Sequence, residues 1–264
     1  MKKIVFLLVM LVGLGLFSSF TVFGNDEKEN NVNLGLGVFY RNSVYKQDDD
    51  NEVLPVPFIG IQYKDFYYEA PIELGYHFYK TENLTLTAYG RYNLYTGYKP
   101  EDLIDEFKDM EKRKDDIHLG LRERYNFVPL GVEIISHVSG DVSGRSDGIL
   151  ARVEVNKPLP FFQQKFIIQP YVAAEYMSES YTDYYFGITK EEASKNINHG
   201  EEYKVSDSFN FEAGIRSIVD INRNFKLLVS AGYTRYGNSI ADSPLVKDKD
   251  IFTIGGGISY NFPF

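Results

Sequence analysis

The last stretch of the chain, residues 250–264, alternates apolar side chains with small or polar ones. Apolar side chains occupy most of its even positions: Phe252, Ile254, Ile258, Tyr260, Phe262 and Phe264. This period of two predicts a β-strand with one apolar face. A terminal aromatic is typical of the closing strand of an outer-membrane β-barrel, whereas a soluble β-sandwich would gain nothing from a Phe that frays into water. We predict that Tyr260, Phe262 and Phe264 close the barrel and resemble the signal that the barrel-assembly machinery recognises.

Similar alternation recurs along the chain and predicts further strands. They cover residues 32–41, 53–63, 66–78, 84–94, 117–121, 132–138, 149–155, 166–176, 209–215 and 225–233. With the closing strand the count is odd, although a bacterial single-chain barrel has an even number of strands. The long loops 98–116, 178–205 and 237–249 all fall on the same side, so the counting error lies before residue 80. We therefore predict an all-β fold, an antiparallel transmembrane β-barrel of about 12 strands with ten as the alternative, short periplasmic turns and longer outer loops with short helices.

Three local features interrupt the strand pattern. Pro55 and Pro57 remove backbone donors from the second strand, which predicts a weak or bulged start. Residues 101–114 have helical apolar spacing, with acidic residues first and basic residues last, which predicts an amphipathic helix. This helix would lie on the barrel rim or, alternatively, plug the lumen. Thr189 and Glu192 have the spacing of a capping box at the start of a short helix.

The N-terminus, residues 1–24, reads as a secretory signal peptide. Lys2 and Lys3 precede a long apolar run, and the small residue Gly24 stands before a polar segment. The alternative is a membrane anchor, because residues 4–23 are long enough to span a bilayer. Cleavage would leave residues 25–264 as one barrel domain. The chain has no Cys and no Trp, its 21 Tyr and 20 Phe supply aromatic girdles, and its net charge of −9 argues against a nucleic-acid partner.

The polar face of the predicted strands carries charges of both signs, as expected of a barrel lumen. These residues are Arg91, Arg122, Arg124, Glu133, Arg152, Glu154, Gln169, Glu175, Glu212 and Arg216. A turn near residues 127–129 would pair positions that sum to 255. This register predicts a lumen charge pair between Arg122 and Glu133. It also sets His118 beside His137, so that acid would protonate both and loosen the mouth.

The same register predicts a polar cluster at the outer mouth, made of Asp116, His118, His137, Ser139 and Asp141. These side chains have the chemistry of a hydrolase centre or of a divalent metal site. The chain lacks the H-E-x-x-H and P-loop motifs, so neither of these enzyme signatures supports catalysis. We therefore interpret the cluster as a hydrogen-bonded group on a solvated rim. We expect no catalytic residue, no metal and no cofactor.

Two loop segments carry a resemblance to a known family. Residues 184–193, YYFGITKEEA, and residues 241–246, ADSPLV, resemble the two hallmark loops of the MipA/OmpV family. The early VLPVP at 53–57 and the LGY at 74–76 fit as well, whereas the charged segment 101–114 departs from the pattern. The resemblance implies an outer-membrane β-barrel in a Gram-negative-type envelope, with no catalytic residues.

The resemblance also implies a function, since the name-giving member is described as a scaffold between a murein lytic transglycosylase and a bifunctional murein synthase. The expected partners are these murein enzymes, outer-membrane lipid and the barrel-assembly machinery. The short periplasmic turns offer little area compared with the ~800 Å² per partner of a standard interface. A narrow outer-membrane channel for small solutes is the alternative function.

Overall fold

The structure is a computed structural model that describes residues 30–49, 51–70, 72–94, 96–195 and 201–263. Within them one antiparallel sheet closes into a barrel, because β1 pairs with both β2 and β13, and β10 pairs with β8 and β11. The strands are β1 (Asn30–Asn42), β2 (Asn51–Tyr63), β3 (Phe66–Ala70), β4 (Glu73–Lys80), β5 (Leu84–Asn93), β6 (Asp116–Phe127), β7 (Val132–Asp141), β8 (Ile149–Asn156), β9 (Leu159–Phe161), β10 (Phe166–Met177), β11 (Ser208–Asp220), β12 (Phe225–Arg235) and β13 (Asp250–Pro263). The short β9 pairs only with β10, so 12 of the 13 strands form the wall. The predicted barrel of about 12 strands is confirmed. The predicted signal peptide lies outside the described residues.

The missing strand lies where the count placed the error, before residue 80. Residues 66–78, expected as one strand, form the hairpin β3–β4, in which Phe66 pairs with Tyr76 and Tyr68 with Leu74. Paired positions in this hairpin sum to an even number, so even-numbered residues face outward on both strands. The period of two therefore runs through the turn unbroken, and alternation alone reads two strands as one.

The alternation separates a lipid-facing surface from the lumen. Large apolar side chains point outward and stay exposed, among them Leu36, Leu119, Phe211 and Phe252. Charged and polar side chains point inward and are buried, as Arg216 illustrates at 1% exposure. None of the described helices is long and apolar enough to cross a membrane.

An apolar cluster crosses the inside of the barrel. Tyr171 of β10 packs in one buried group with Phe39 of β1 and with Leu54 and Val56 of β2, and Phe58 packs against it. Glycines leave room for these rings, since a Cβ at Gly214 would collide with Tyr171 and one at Gly255 with Phe39. The two rings therefore lie along the inner wall and are turned toward each other.

The outer loops fold together into an apolar cap. Its helices are α1 (Glu179–Phe186), α2 (Lys190–Lys195) and α3 (Asn238–Ala241), and its buried apolar residues come from four loops. The cluster comprises Val44, Tyr45, Tyr98, Leu103, Phe107, Met110, Met177, Tyr181, Tyr185, Phe186, Ile188, Val205, Ile240, Leu245, Val246 and Ile251. The predicted outer loops with short helices are present, because each loop is too small to bury its apolar residues alone.

The amphipathic helix predicted over residues 101–114 is wrong in its details. Two separate 3-10 turns, Pro100–Asp102 and Asp105–Phe107, replace it. Leu103 lies between the two turns and forms an isolated β-bridge with Gln47 of the β1–β2 loop. This bridge holds the backbone at Leu103 extended. Leu103, Phe107 and Met110 are still buried together, but in the cap and not on a free rim or as a separate plug.

Candidate functional site

The lumen side chains form two buried ion-pair networks. In the first, Glu73 of β4 accepts hydrogen bonds from Arg122 at 2.8 Å, from Arg91 at 2.8 Å and from the Tyr67 hydroxyl at 2.5 Å. The carboxylate is 2% exposed and Arg122 is 7% exposed. Two guanidinium groups on one carboxylate offset the free-energy cost of its desolvation. The network therefore links β4, β5 and β6 through buried, paired charges.

The predicted pair Arg122–Glu133 is therefore wrong. Arg122 stands opposite His137 in the β6–β7 register, and Glu133 stands opposite Asn126. Paired positions sum to 259 and not 255, because the turn is longer than expected: Val128–Leu130 forms a 3-10 turn that ends at Gly131 in the left-handed region (φ 59). Glu133 instead lies 3.5 Å from Arg124 and accepts a hydrogen bond from Asn156.

The second network joins β8, β10 and β11. Arg216 binds both oxygens of Glu154 at 2.7 and 2.9 Å, and Arg152 donates to Glu154 at 3.1 Å and to Glu212 at 2.6 Å. Tyr171 donates to Glu212 at 2.6 Å, and its ring lies 3.7 Å from the Arg216 guanidinium carbon. The sequence placed all four charges on the inner face. It did not pair them, because Glu154 and Arg216 lie two strands apart.

The predicted mouth cluster is present in part. His118 Nε2 lies 3.0 Å from Asp116 Oδ2, and its Nδ1 lies 3.1 Å from the Ser139 hydroxyl. Asp141 stands opposite His118 in the register. Ser146, which the sequence did not single out, joins them by donating to Asp116 at 2.5 Å. Asp116, His118, Ser139 and Asp141 thus meet as predicted.

Two expectations about this cluster are wrong. His137 is not a member, since it faces Arg122 across the hairpin and lies near Tyr89. The two histidines are therefore not neighbours, and the proposed acid repulsion between them has no basis. Most of the cluster is also buried and not solvated: Asp116 and His118 are each 0% exposed, and only Asp141 is half-buried. Tyr181 of α1 contacts the His118 ring edge-on, so the cap covers the cluster.

Asp116, His118 and Asp141 place three ligand atoms within 4.8 Å of one another, which is a distance compatible with a shared metal ion. The ligand atoms, however, already have partners. Asp141 Oδ2 accepts backbone N–H groups from Arg145, Ser146 and Asp147. Asp116 Oδ1 accepts from Asn93 at 2.9 Å. The hydrogen bonds satisfy these carboxylates without a cation, so the donor set fits a metal poorly.

Ser139, His118 and Asp116 also follow the order of a catalytic relay. With Nε2–H donated to Asp116, the His118 Nδ1 lone pair is free to accept the Ser139 proton. Ser139, however, lies within β7, where the strand backbone pairs with β6 and β8 on both sides. The ladder leaves no adjacent backbone donors to stabilise an oxyanion, which acyl transfer requires. The geometry is that of a hydrogen-bonded structural cluster.

An ion pair between two outer loops fastens the cap. Arg113 donates to both oxygens of Glu192 at 2.8 and 2.9 Å, and Glu192 also accepts the backbone N–H of Glu111. The predicted capping box is confirmed, since Thr189 N–H donates to Glu192 and Glu192 N–H donates to the Thr189 hydroxyl. Burial by itself raises the pKa of Glu192, but the hydrogen bonds from Arg113 and the two backbone N–H groups lower it to about 2. The carboxylate is thus charged at any physiological pH.

The closing strand contains two of the three predicted assembly residues, Tyr260 and Phe262. Tyr260 pairs with Leu34 of β1 and with Phe225 of β12, and Phe262 pairs with Val32. The Tyr260 and Phe262 rings lie 4.4 Å apart. Phe262 is 44% exposed and faces outward, whereas Phe264 lies outside the described residues. The barrel is closed by this strand, so its apolar face completes the lipid-facing surface.

Comparison with known proteins assigns the barrel to a protein family. The model of the family described as MltA-interacting protein MipA matches residues 34–262. The chain belongs to this family. The MltA-interacting protein of Escherichia coli strain K12 is 26% identical over 255 residues, covering 96% of this chain and 98% of that protein. Outer membrane protein OmpV of Vibrio cholerae serotype O1 is 26% identical over 163 residues, covering 61% of this chain and 60% of its own. The predicted MipA/OmpV resemblance is confirmed.

The same comparisons give the location. A 24 kDa outer membrane protein of Pasteurella multocida strain Pm70 is 24% identical over 221 residues, which cover 83% of this chain and 85% of that protein. Pseudomonas putida OprB, a solved structure, has a TM-score of 0.47 at 7% identity and covers 89% of this chain and 94% of its own. The relatives are named as outer membrane proteins and the chain folds as a barrel, so this MipA-family protein resides in the outer membrane.

Proposed function

We propose that this protein is a non-enzymatic scaffold of the outer membrane, which holds a murein-remodelling enzyme at the periplasmic side of the envelope. The observation that carries the proposal is the packed lumen. Tyr171 and Phe39 meet inside the barrel, the ion networks of Glu73 and Glu154 are buried, and the cap covers the outer end. A barrel filled in this way serves as a membrane anchor for other proteins better than as a path for solutes.

The proposed partner follows from family membership. A relative that spans nearly the whole chain is named MltA-interacting protein, and the family carries the same description. We propose a murein lytic transglycosylase of the MltA type as the first partner and a murein synthase as the second. The satisfied mouth cluster around His118 supports the non-enzymatic part of the proposal, because it has neither an open approach nor an oxyanion site.

A narrow solute channel is the second candidate, because charged side chains line the lumen. Planar-bilayer recording of the purified barrel separates the two. We expect no discrete ohmic openings from the wild type. The double variant Phe39→Ala with Tyr171→Ala, which removes both rings of the lumen contact, is the matched control and should conduct if these two rings are what blocks the wild type.

Binding is tested separately by surface plasmon resonance, with the barrel in nanodiscs and the soluble domain of an MltA-type transglycosylase from the same genome. Saturable binding without conductance supports the scaffold. Steady ohmic openings of the wild type, with no binding of the transglycosylase, would favour the channel instead.

A further inference from the structure

The barrel wall has a notch on one side, at the short hairpin β3–β4. β2 pairs with β1 over its whole length, from Asn51 to Tyr63, but it pairs with β3 only over Ile59–Tyr63. Within the described part of the chain, Asn51–Phe58 thus has no strand on its second side. At about 3.3 Å per residue, this edge is about 26 Å long, comparable to the thickness of the hydrocarbon core.

The edge lies at the level of the membrane. Val53 of β2 and its outward-facing neighbours on β1, Val38 and Tyr40, are 46–57% exposed and apolar. An open strand edge is not tolerated in hydrocarbon unless its polar groups are removed or covered. Pro55 and Pro57 lie in this segment and have no N–H, so two backbone donors are absent from the unpaired edge. The prolines also discourage another strand from pairing with this edge.

The lumen behind the notch differs from the rest of the lumen. The inward residues along most of this edge of β2 are Leu54, Val56 and Phe58, and Phe39 lies beside them. At the outer end of the edge, Glu52 forms an ion pair with Arg41 at 2.8 Å. No charged side chain belongs to this described cluster, whereas ion pairs dominate the inner faces of β6, β8 and β11. Phe58 stays partly exposed, although it faces inward over Gly37 and Gly257.

From the unpaired edge, its prolines and the apolar lining, we infer that the notch between β2 and β3–β4 is a lateral binding site for an acyl chain that enters from the membrane. An acyl chain needs no hydrogen bonds, so it suits an edge that has lost donors. A second copy of this chain, docking by strand pairing, would need the N–H groups that Pro55 and Pro57 lack. The partly exposed Phe58 ring would then be part of the surface that contacts the bound chain.

Fluorescence quenching tests this site directly, because the chain contains no Trp and each substitution introduces a single reporter. The variant Phe58→Trp is reconstituted in phosphatidylcholine vesicles with or without bromine atoms on the acyl chains, which quench Trp on contact. Two matched controls carry the reporter elsewhere: Phe211→Trp on the lipid-facing side of β11, and Tyr89→Trp at a buried inward position of β5 behind a fully paired wall.

We expect brominated chains to quench Phe58→Trp nearly as strongly as Phe211→Trp and several-fold more than Tyr89→Trp. Val56→Trp, at the neighbouring inward position of the unpaired edge of β2, is the second reporter if Phe58→Trp does not assemble. Quenching no stronger than that of Tyr89→Trp would overturn the inference. So would quenching of Phe58→Trp by aqueous acrylamide without quenching by bromine, since the notch would then open to water and not to lipid.

Discussion

At the scale of single residues, ion pairs on the inner face join side chains that reach each other across one intervening strand. Glu73 reaches Arg122 over β5, and Glu154 reaches Arg216 over β10. A register derived from a hairpin turn pairs only adjacent strands, so it cannot predict these partners. Each carboxylate is also shared by two arginines, so removing it uncovers more than one buried charge.

This arrangement predicts unequal effects for two similar substitutions. Glu73→Gln removes the carboxylate that forms the ion pairs with Arg91 and Arg122 and should destabilise the barrel by roughly 3–5 kcal/mol. Glu133→Gln loses only a 3.5 Å contact with the more exposed Arg124 and should cost about 1 kcal/mol or less. The temperature at which the folded band disappears on an unboiled gel measures both. An equal shift for the two variants would contradict the observed partners.

At the scale of elements, the loops of the cap depend on each other through Arg113 and Glu192. Because the pKa of Glu192 is lowered from 4.5 to about 2, its charged form stabilises the cap above about pH 4.5. That contribution is lost as the pH falls toward 2, when the carboxyl becomes protonated. The cap should therefore be insensitive to pH across the neutral range and should loosen only in strong acid.

Proteolysis checks this expectation. Pepsin should cut the loops of the wild type markedly faster near pH 2 than near pH 4, beyond the change in its own activity. In Glu192→Gln the cap has lost this charge at every pH, so cleavage should be faster at pH 4 and the acid response should shrink. An unchanged acid response in Glu192→Gln would show that another group is responsible.

At the scale of the whole molecule, the pairing of β13 with β1 closes the sheet into a barrel. The outward aromatic Phe262 contributes apolar area to the lipid-facing surface, and Phe262 and Phe264 belong to the predicted assembly signal. The wild type should fractionate with outer membranes and run faster on a gel unboiled than boiled. The variant Phe262→Ala with Phe264→Ala should accumulate unfolded or be degraded. Wild-type amounts of its heat-modifiable barrel would show that the terminal aromatics are dispensable.

Two hairpins show which features of the barrel follow from the alternation of apolar and polar residues and which do not. The inward and outward faces of the strands follow from a period of two, and the charges listed from the sequence do point inward, including Arg122, Arg152 and Arg216. Pairing depends on turn length, which alternation does not encode. The β6–β7 turn is longer than its sequence suggests, and the β3–β4 turn preserves the parity of the faces. Faces could therefore be predicted, while register and strand count could not.

The sequence alone determined the barrel class, the sidedness of the loops, the lipid-facing residues and the family, because each depends on local periodicity or on short motifs. The tertiary structure alone decided which charges pair, that His137 stands apart from Asp116 and His118, and that four loops form a single cap. It also decided that β2 carries an unpaired edge at Pro55 and Pro57. These features join residues far apart in the chain, and their geometry is set by closure of the sheet, which no local pattern contains.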